Sequence, residues 1–394
     1  MHAPVLFALV ACVIAAPLIR VRSADAVTGK WIVKLKGDIS SLAEEDLQTS
    51  LSTKPDFRYS MDGFRGFAGT LSDEEITRLQ ASDRIEYIQQ DAKVYKSSFV
   101  EQGNATWGLA RISHTRPGSA TYLYDSTAGA GTCAYVIDSG IEIDHPEFQG
   151  RASFLADFSG ENSTMDGDGH GTHVAGTIGS LTWGVAKKTE LLAVRVLDSL
   201  GWGTNAGVIA GMQFAIEDAK ARREAGKCPK GFVANMSLGG FFVKAVNDGA
   251  AAVVRSGIFL AVAAGNEAMD AEYSSPASEP TVCTVGATAK NDTLAWWSNY
   301  GPLVDILAPG VDITSTYIGH TIGVDSGTSM ATPHVVGLAA YMLGLDMAPV
   351  ETLCEMIAQS ATKDAIAEDA LPPSTPNLLA YNIAEGMIYG KRRL

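Results

Sequence analysis

Residues 133–138 read C-A-Y-V-I-D, and S-G follows at 139–140. A short apolar run closed by an acid and a glycine has the length of a strand, and its unbroken apolar character suits a strand covered on both faces. The pattern repeats outward from it. L-L-A-V-R-V-L (191–197) leads to a long helical stretch from about 205 to 225, then to F-V-A-N-M-S-L (232–238) and a helix from about 243 to 255. I-F-L-A-V-A-A-G (258–265) and T-V-C-T-V-G-A (281–287) follow, ahead of an apolar helix after Ser329. Strands alternating with helices predict an α/β fold, a mostly parallel sheet with helices on both faces. Ligands of such sheets bind at the carboxyl ends of the strands, so Asp138 stands where chemistry is expected.

The chain has 394 residues, 46% hydrophobic and 19% charged, with a formal net charge of -14. This describes an ordered globular protein, and its only dense basic run is K-R-R at 391–393, so no nucleic-acid partner is expected. The apolar run at 5–19, with small residues at Ala15 and Ala16, is too short for a comfortable membrane span and has the form of a signal peptide ending by residue 26. The expected location is therefore extracellular, with no membrane partner. Four cysteines remain beyond the leader, Cys133, Cys228, Cys283 and Cys354, which allow two disulfides in any of three pairings. Sequons at Asn104, Asn162, Asn235 and Asn291 fit a secreted glycoprotein, although Asn235 lies inside an apolar run and should stay unmodified.

Ahead of the large unit, W-I-V-K-L-K (31–36) alternates as a strand, and S-S-L-A-E-E-D-L-Q (40–48) reads as a helix. S-D-E-E-I-T-R-L-Q (72–80) opens with a capping box and I-E-Y-I (85–88) is strand-like, completing a small α+β unit. K-S-S-F-V-E-Q-G-N-A-T (96–106) lacks periodicity and reads as a linker. The expected divisions are 1–26, 27–100 and 101–394.

Four polar residues fall at expected carboxyl edges. Ser329 lies in S-G-T-S-M-A-T-P-H (326–334), and Pro333 is tolerated mainly in a first turn, so a helix should begin beside Ser329. Taken alone, Ser329 is a helix cap or a nucleophile. His170 sits in D-G-D-G-H-G-T-H (166–173). With His173 it does not make a zinc-protease pair, whose histidines are four apart around a glutamate. Asn266 follows A-A-G, and Asp138 closes its strand. An acid, a histidine, an asparagine and a serine at one sheet edge supply an orienter, a base, an oxyanion donor and a nucleophile.

D-S-G after an apolar strand, G-H-G-T-H-V-A-G-T-I-G, S-L-G-G, A-A-G-N and G-T-S-M-A-T-P-H, in this order, resemble the subtilisin-like serine proteases. Within them, W-G-L-A-R-I-S, C-P-K-G and P-A-S-E-P-T-V-C-T-V-G-A resemble the proteinase K group. The resemblance implies a subtilisin-like fold and a secreted, monomeric serine endopeptidase acting on proteins and peptides through an acyl-enzyme, without a catalytic cofactor. Asp138 would orient, His170 would act as base, Ser329 as nucleophile and Asn266 as oxyanion donor. Ser237, Leu238, Gly239 and Gly240 would pair with an extended substrate, Ala263, Ala264 and Gly265 would line the pocket before the cut, and Gly201, Trp202 and Gly203 would form the opposite wall. Small residues there imply broad preference for apolar or aromatic side chains. Also implied are disulfides Cys133–Cys228 and Cys283–Cys354, and structural calcium on the carbonyls of Pro280 and Val282 with the carboxylate of Asp305. The small first unit would be an inhibitory propeptide, removed by the enzyme's own cut after Phe99 or Val100.

Overall fold

The computed structural model describes residues 15–21, 26–37, 41–92 and 99–390. They form two compact units, divided between Lys96 and Ser97. The greater part of the expected leader, residues 1–14, lies outside the described residues. Its last residues belong to the first unit, where Leu18–Ile19 pairs in parallel with Ile88 and Gln89.

The first unit is a five-stranded sheet in the spatial order Leu18–Ile19, Ile85–Ala92, Ala26–Leu35, Phe64–Thr70, Phe57–Met61. Trp31, Val33 and Leu35 alternate onto one face, where they pack with Phe67, Ile76, Leu79 and Ile88. The helix Asp73–Gln80 supplies Ile76 and Leu79, and its expected capping box is formed by Ser72 and Glu75.

The second unit is built on nine strands, in the order Thr362–Lys363, Leu378–Leu379, Ile306–Pro309, Cys283–Thr288, Ile258–Ala263, Gly231–Met236, Thr132–Asp138, Glu190–Arg195, Ala152–Asp157. Thr362–Lys363 at the edge is antiparallel and the other strands run parallel. Strand order reverses about Thr132–Asp138, so the end of that strand is a switch point where a crevice opens. Every residue of the strand is buried. Ala134 and Val136 pack on one face with Val174, Ile178 and Val335, whereas Cys133, Tyr135 and Ile137 pack on the other with Val208, Met212 and Val246. The unbroken apolar pattern thus reflects two covered faces.

Two expectations change here. Phe99–Gln102, placed in the linker, pairs antiparallel with Tyr122–Asp125, a partner 20 or more residues on that local periodicity does not show; residues 96–98 lie outside the described residues. The helix Thr328–Gly344 begins at Thr328 with Gly327 as N-cap, which puts Pro333 in its second turn. Ser329 is therefore the second helical residue and not a cap.

Candidate active site

Asp138, at the end of its strand, is fully buried. Its Oδ1 lies 2.7 Å from His170 Nδ1 and accepts from the Ser139 amide at 2.7 Å. His170 opens the helix His170–Gly179. The approach depends on Gly171, where a Cβ would stand 2.1 Å from the Gly140 carbonyl oxygen. Asp166 braces the same loop. Its Oδ1 accepts from Ser139 Oγ and the amides of Asp168 and Gly169, and its Oδ2 from the Thr172 amide and hydroxyl. Sequence reasoning gave Asp166 no role, although an aspartate heading a glycine-rich loop is the residue that such backbone bonds require.

Burial pulls the His170 pKa down, but the carboxylates of Asp138, Asp325 and Asp168 outweigh it and lift the imidazole to about 9. Asp325 ends the strand Thr321–Asp325, which forms a hairpin with Ile313–Tyr317 that the sequence reading did not anticipate. The hairpin is tied to the histidine helix by Ser315 Oγ donating to the His173 carbonyl and Thr316 Oγ1 to that of Thr172. His173 is itself buried and bonds through Nε2 to the Ile313 carbonyl at 2.9 Å, which occupies it structurally.

Ser329 and Asn266 line one cavity with Leu238, Gly239, Gly240, Ala263, Ala264 and Gly265. Asn266 Oδ1 accepts from the Thr328 amide at 2.8 Å and its hydroxyl at 2.9 Å, which leaves Nδ2 as the donor available to a ligand. The Ser329 hydroxyl donates to the Ser237 carbonyl at 3.1 Å. Across the Ser237–Gly240 segment a second cavity is lined by His170, Asp168, Gly201, Trp202 and Gly203. The expected cleft residues therefore line two cavities that share Leu238, Gly239 and Gly240, one holding the serine and the other the acid-paired histidine, the residue types of nucleophilic acyl transfer.

The expected disulfides, Cys133–Cys228 and Cys283–Cys354, are both formed. Asp305 lies against the second bridge. Burial pushes its carboxyl up to about 6, and its Oδ2 accepts from the Thr284 amide at 2.8 Å. Among the described residues it forms no ion pair. A half-buried acid without a cationic partner among the described residues, two residues in register from the Pro280–Val282 turn, fits a hard cation held by oxygen.

This geometry is that of a serine protease, and the comparisons assign the class. Residues 129–375 match the Subtilase family and residues 30–97 match Peptidase inhibitor I9. The chain belongs to the subtilase family of serine proteases and carries an inhibitor unit ahead of the protease unit, the arrangement of a zymogen endopeptidase. It is 50% identical over 369 residues to a cuticle-degrading protease of Metarhizium anisopliae, covering 93% of both chains. Proteinase T of Parengyodontium album is 56% identical over 297 residues, 75% of this chain and 98% of that one. A cold adapted subtilisin-like serine proteinase of known structure aligns with a TM-score of 0.65 at 38% identity, over 71% of this chain and 99% of the other.

Proposed function

We propose that Ser329 is the nucleophile of a secreted endopeptidase, with His170 as general base, Asp138 as its orienter, and Asn266 Nδ2 with the Ser329 amide as oxyanion donors. The observation that carries this reading is the 2.7 Å bond between His170 Nδ1 and buried Asp138, with His170 lining a cavity that shares Leu238, Gly239 and Gly240 with the one that holds Ser329. Asp138 holds Nδ1 protonated, so Nε2 is free to take the Ser329 proton as its oxygen attacks the scissile carbonyl. His170 returns that proton to the departing amine, and water then releases the acyl group by the same path. Developing negative charge on the carbonyl oxygen is met by Asn266 Nδ2, fixed in advance by Thr328.

An extended substrate pairs with Ser237, Leu238, Gly239 and Gly240, and the residue before the cut enters the small-residue cavity at Ala263, Ala264 and Gly265. That favours apolar and aromatic side chains there. The unit expected over 27–100, extended at its start to take in Leu18–Ile19, acts as propeptide and 101–394 as enzyme, with the enzyme's own cut after Phe99 or Val100. Leader removal falls at its early end, since Ala16 is buried in the propeptide core. No described helix is long and apolar enough to cross a membrane. The enzyme acts as a monomer without nucleic-acid partners, and calcium on Asp305, Pro280 and Val282 supplies charge balance rather than chemistry. Labelling with a serine-directed fluorophosphonate tests the assignment: adduct at Ser329, lost in Ser329→Ala, is expected, and an unlabelled, folded protein would overturn it.

A further inference from the structure

In a helix the carbonyl of residue i accepts from the amide of residue i+4, and for Ser329 that residue is Pro333, which has no amide hydrogen. The nucleophile's own carbonyl is therefore orphaned by the sequence, in a half-buried place where an unpaired carbonyl is costly. The structure fills the gap from outside the helix. Ser237 Oγ donates to the Ser329 carbonyl at 2.7 Å. A carbonyl can only accept, so the Ser237 hydroxyl spends its hydrogen there, and what it takes from Asn235 must be a donor. Asn235 Nδ2 stands 2.9 Å from Ser237 Oγ. Asn235 is fully buried in the central strand Gly231–Met236, and its Oδ1 has no partner among the described residues. A buried amide kept at that cost needs a reason. The Ser237 carbonyl in turn accepts from the Ser329 hydroxyl at 3.1 Å, so the two serines bond reciprocally.

We propose that Asn235 and Ser237 are positioning residues that register the nucleophile to the strand on which the substrate lies, a role created by the missing amide of Pro333. The proposal rests on the reading of Ser329 as nucleophile. Pinning the Ser329 carbonyl fixes its Cα, and through it both the attacking hydroxyl and the amide offered to the oxyanion. Because the pin is the first residue of the substrate-pairing segment, a shift of that strand carries the nucleophile with it. Reacting atoms and substrate stay in step.

A double-mutant cycle tests this. Ser237→Ala should lower kcat by roughly 10- to 100-fold, the range expected for a nucleophile displaced by a fraction of an ångström to 1 Å, while KM moves less than about twofold. Pro333→Ala restores an amide to the Ser329 carbonyl, and in that background the same Ser237→Ala change should cost less than about threefold. Asn235→Ala should act in the same direction as Ser237→Ala and more weakly. Turnover is counted per site titrated with fluorophosphonate, so misfolded protein does not enter. If Ser237→Ala does not fold, Ser237→Cys keeps the shape with a weaker donor and takes its place in the cycle. Equal losses in both backgrounds, a loss confined to KM, or no loss would overturn the proposal. Failure of the unmutated protein to label at Ser329 would instead overturn the nucleophile reading, so the two failures are distinct.

Discussion

Thr328 gives both its amide and its hydroxyl to Asn266 Oδ1, at 2.8 and 2.9 Å. With its oxygen so occupied, Asn266 has one orientation, and Nδ2 is aimed before substrate arrives. Asn266→Ala should lower kcat by about 100-fold or more and leave KM nearly unchanged, a magnitude measured on a subtilisin's own oxyanion asparagine and carried over here. Thr328→Val, which removes one of the two anchors, should show a smaller loss of the same kind. Steady-state kinetics on an anilide substrate separates the outcomes.

Activity should rise with pH along a limb set by His170. A base must be neutral to accept the serine's proton, and the surrounding carboxylates hold this imidazole protonated up to about pH 9. Asp325→Asn removes one negative charge facing it, which lowers the imidazole pKa and moves the acid limb of kcat/KM to lower pH. Asp168→Asn should act likewise. A limb that stays put in both variants would show that neither acid reaches the histidine.

Acid should destabilise the enzyme through His334. Burial depresses its pKa to about 4, and Nδ1 donates to the Met330 carbonyl at 2.9 Å. The unfolded chain takes up that proton near pH 6.5, while the folded form resists it. The stability His334 confers is therefore whole above 6.5 and lost as pH falls toward 4, amounting to about 2–3 kcal/mol at pH 4.5. Thermal unfolding of Ser329→Ala, which cannot digest itself, should show a steeper decline with acid than Ser329→Ala combined with His334→Gln.

Chelation should shorten the enzyme's lifetime at elevated temperature, and more at pH 8 than at pH 5. Burial pushes the Asp305 carboxyl up to about 6, so the charge that calls for a cation is present above that pH and not below it. Asp305→Asn should lose the response to chelator and its pH dependence together.

Much of this site was legible because its residues sit at the ends of strongly patterned elements. Asp138 and Asn266 follow buried apolar strands, and His170 lies among glycines that mark close backbone approach. Pro333 rightly put a helix start beside Ser329, but it lies in the second turn and not the first, because the start at Thr328 is held by a long-range bond from the Thr328 amide to Asn266. The role of Asp325, the bond of Ser237 to the Ser329 carbonyl and the reach of Asp166 to Ser139 were hidden for the same reason. Each acts on a partner 27 to 155 residues away, Ser139 for Asp166 and His170 for Asp325, and no period in the chain encodes such a pairing.

The ladder between Phe99–Gln102 and Tyr122–Asp125 bears on how the precursor matures. Phe99 lies opposite Asp125 and Val100 opposite Tyr124, so the bonds proposed for cleavage are already committed to a neighbouring strand. Held in that ladder, Phe99 and Val100 line neither the cavity of Ser329 nor that of His170, and a bond must reach those groups to be cut. Release of Phe99–Gln102 from that ladder must precede the cut, which makes maturation a pre-equilibrium: its rate is the cleavage rate multiplied by the fraction of molecules in which this strand stands open. Heat, mild denaturant or a weakened Tyr122–Asp125 partner would then speed processing while slowing nothing in the chemistry, and amide exchange at Val100 would report the same opening.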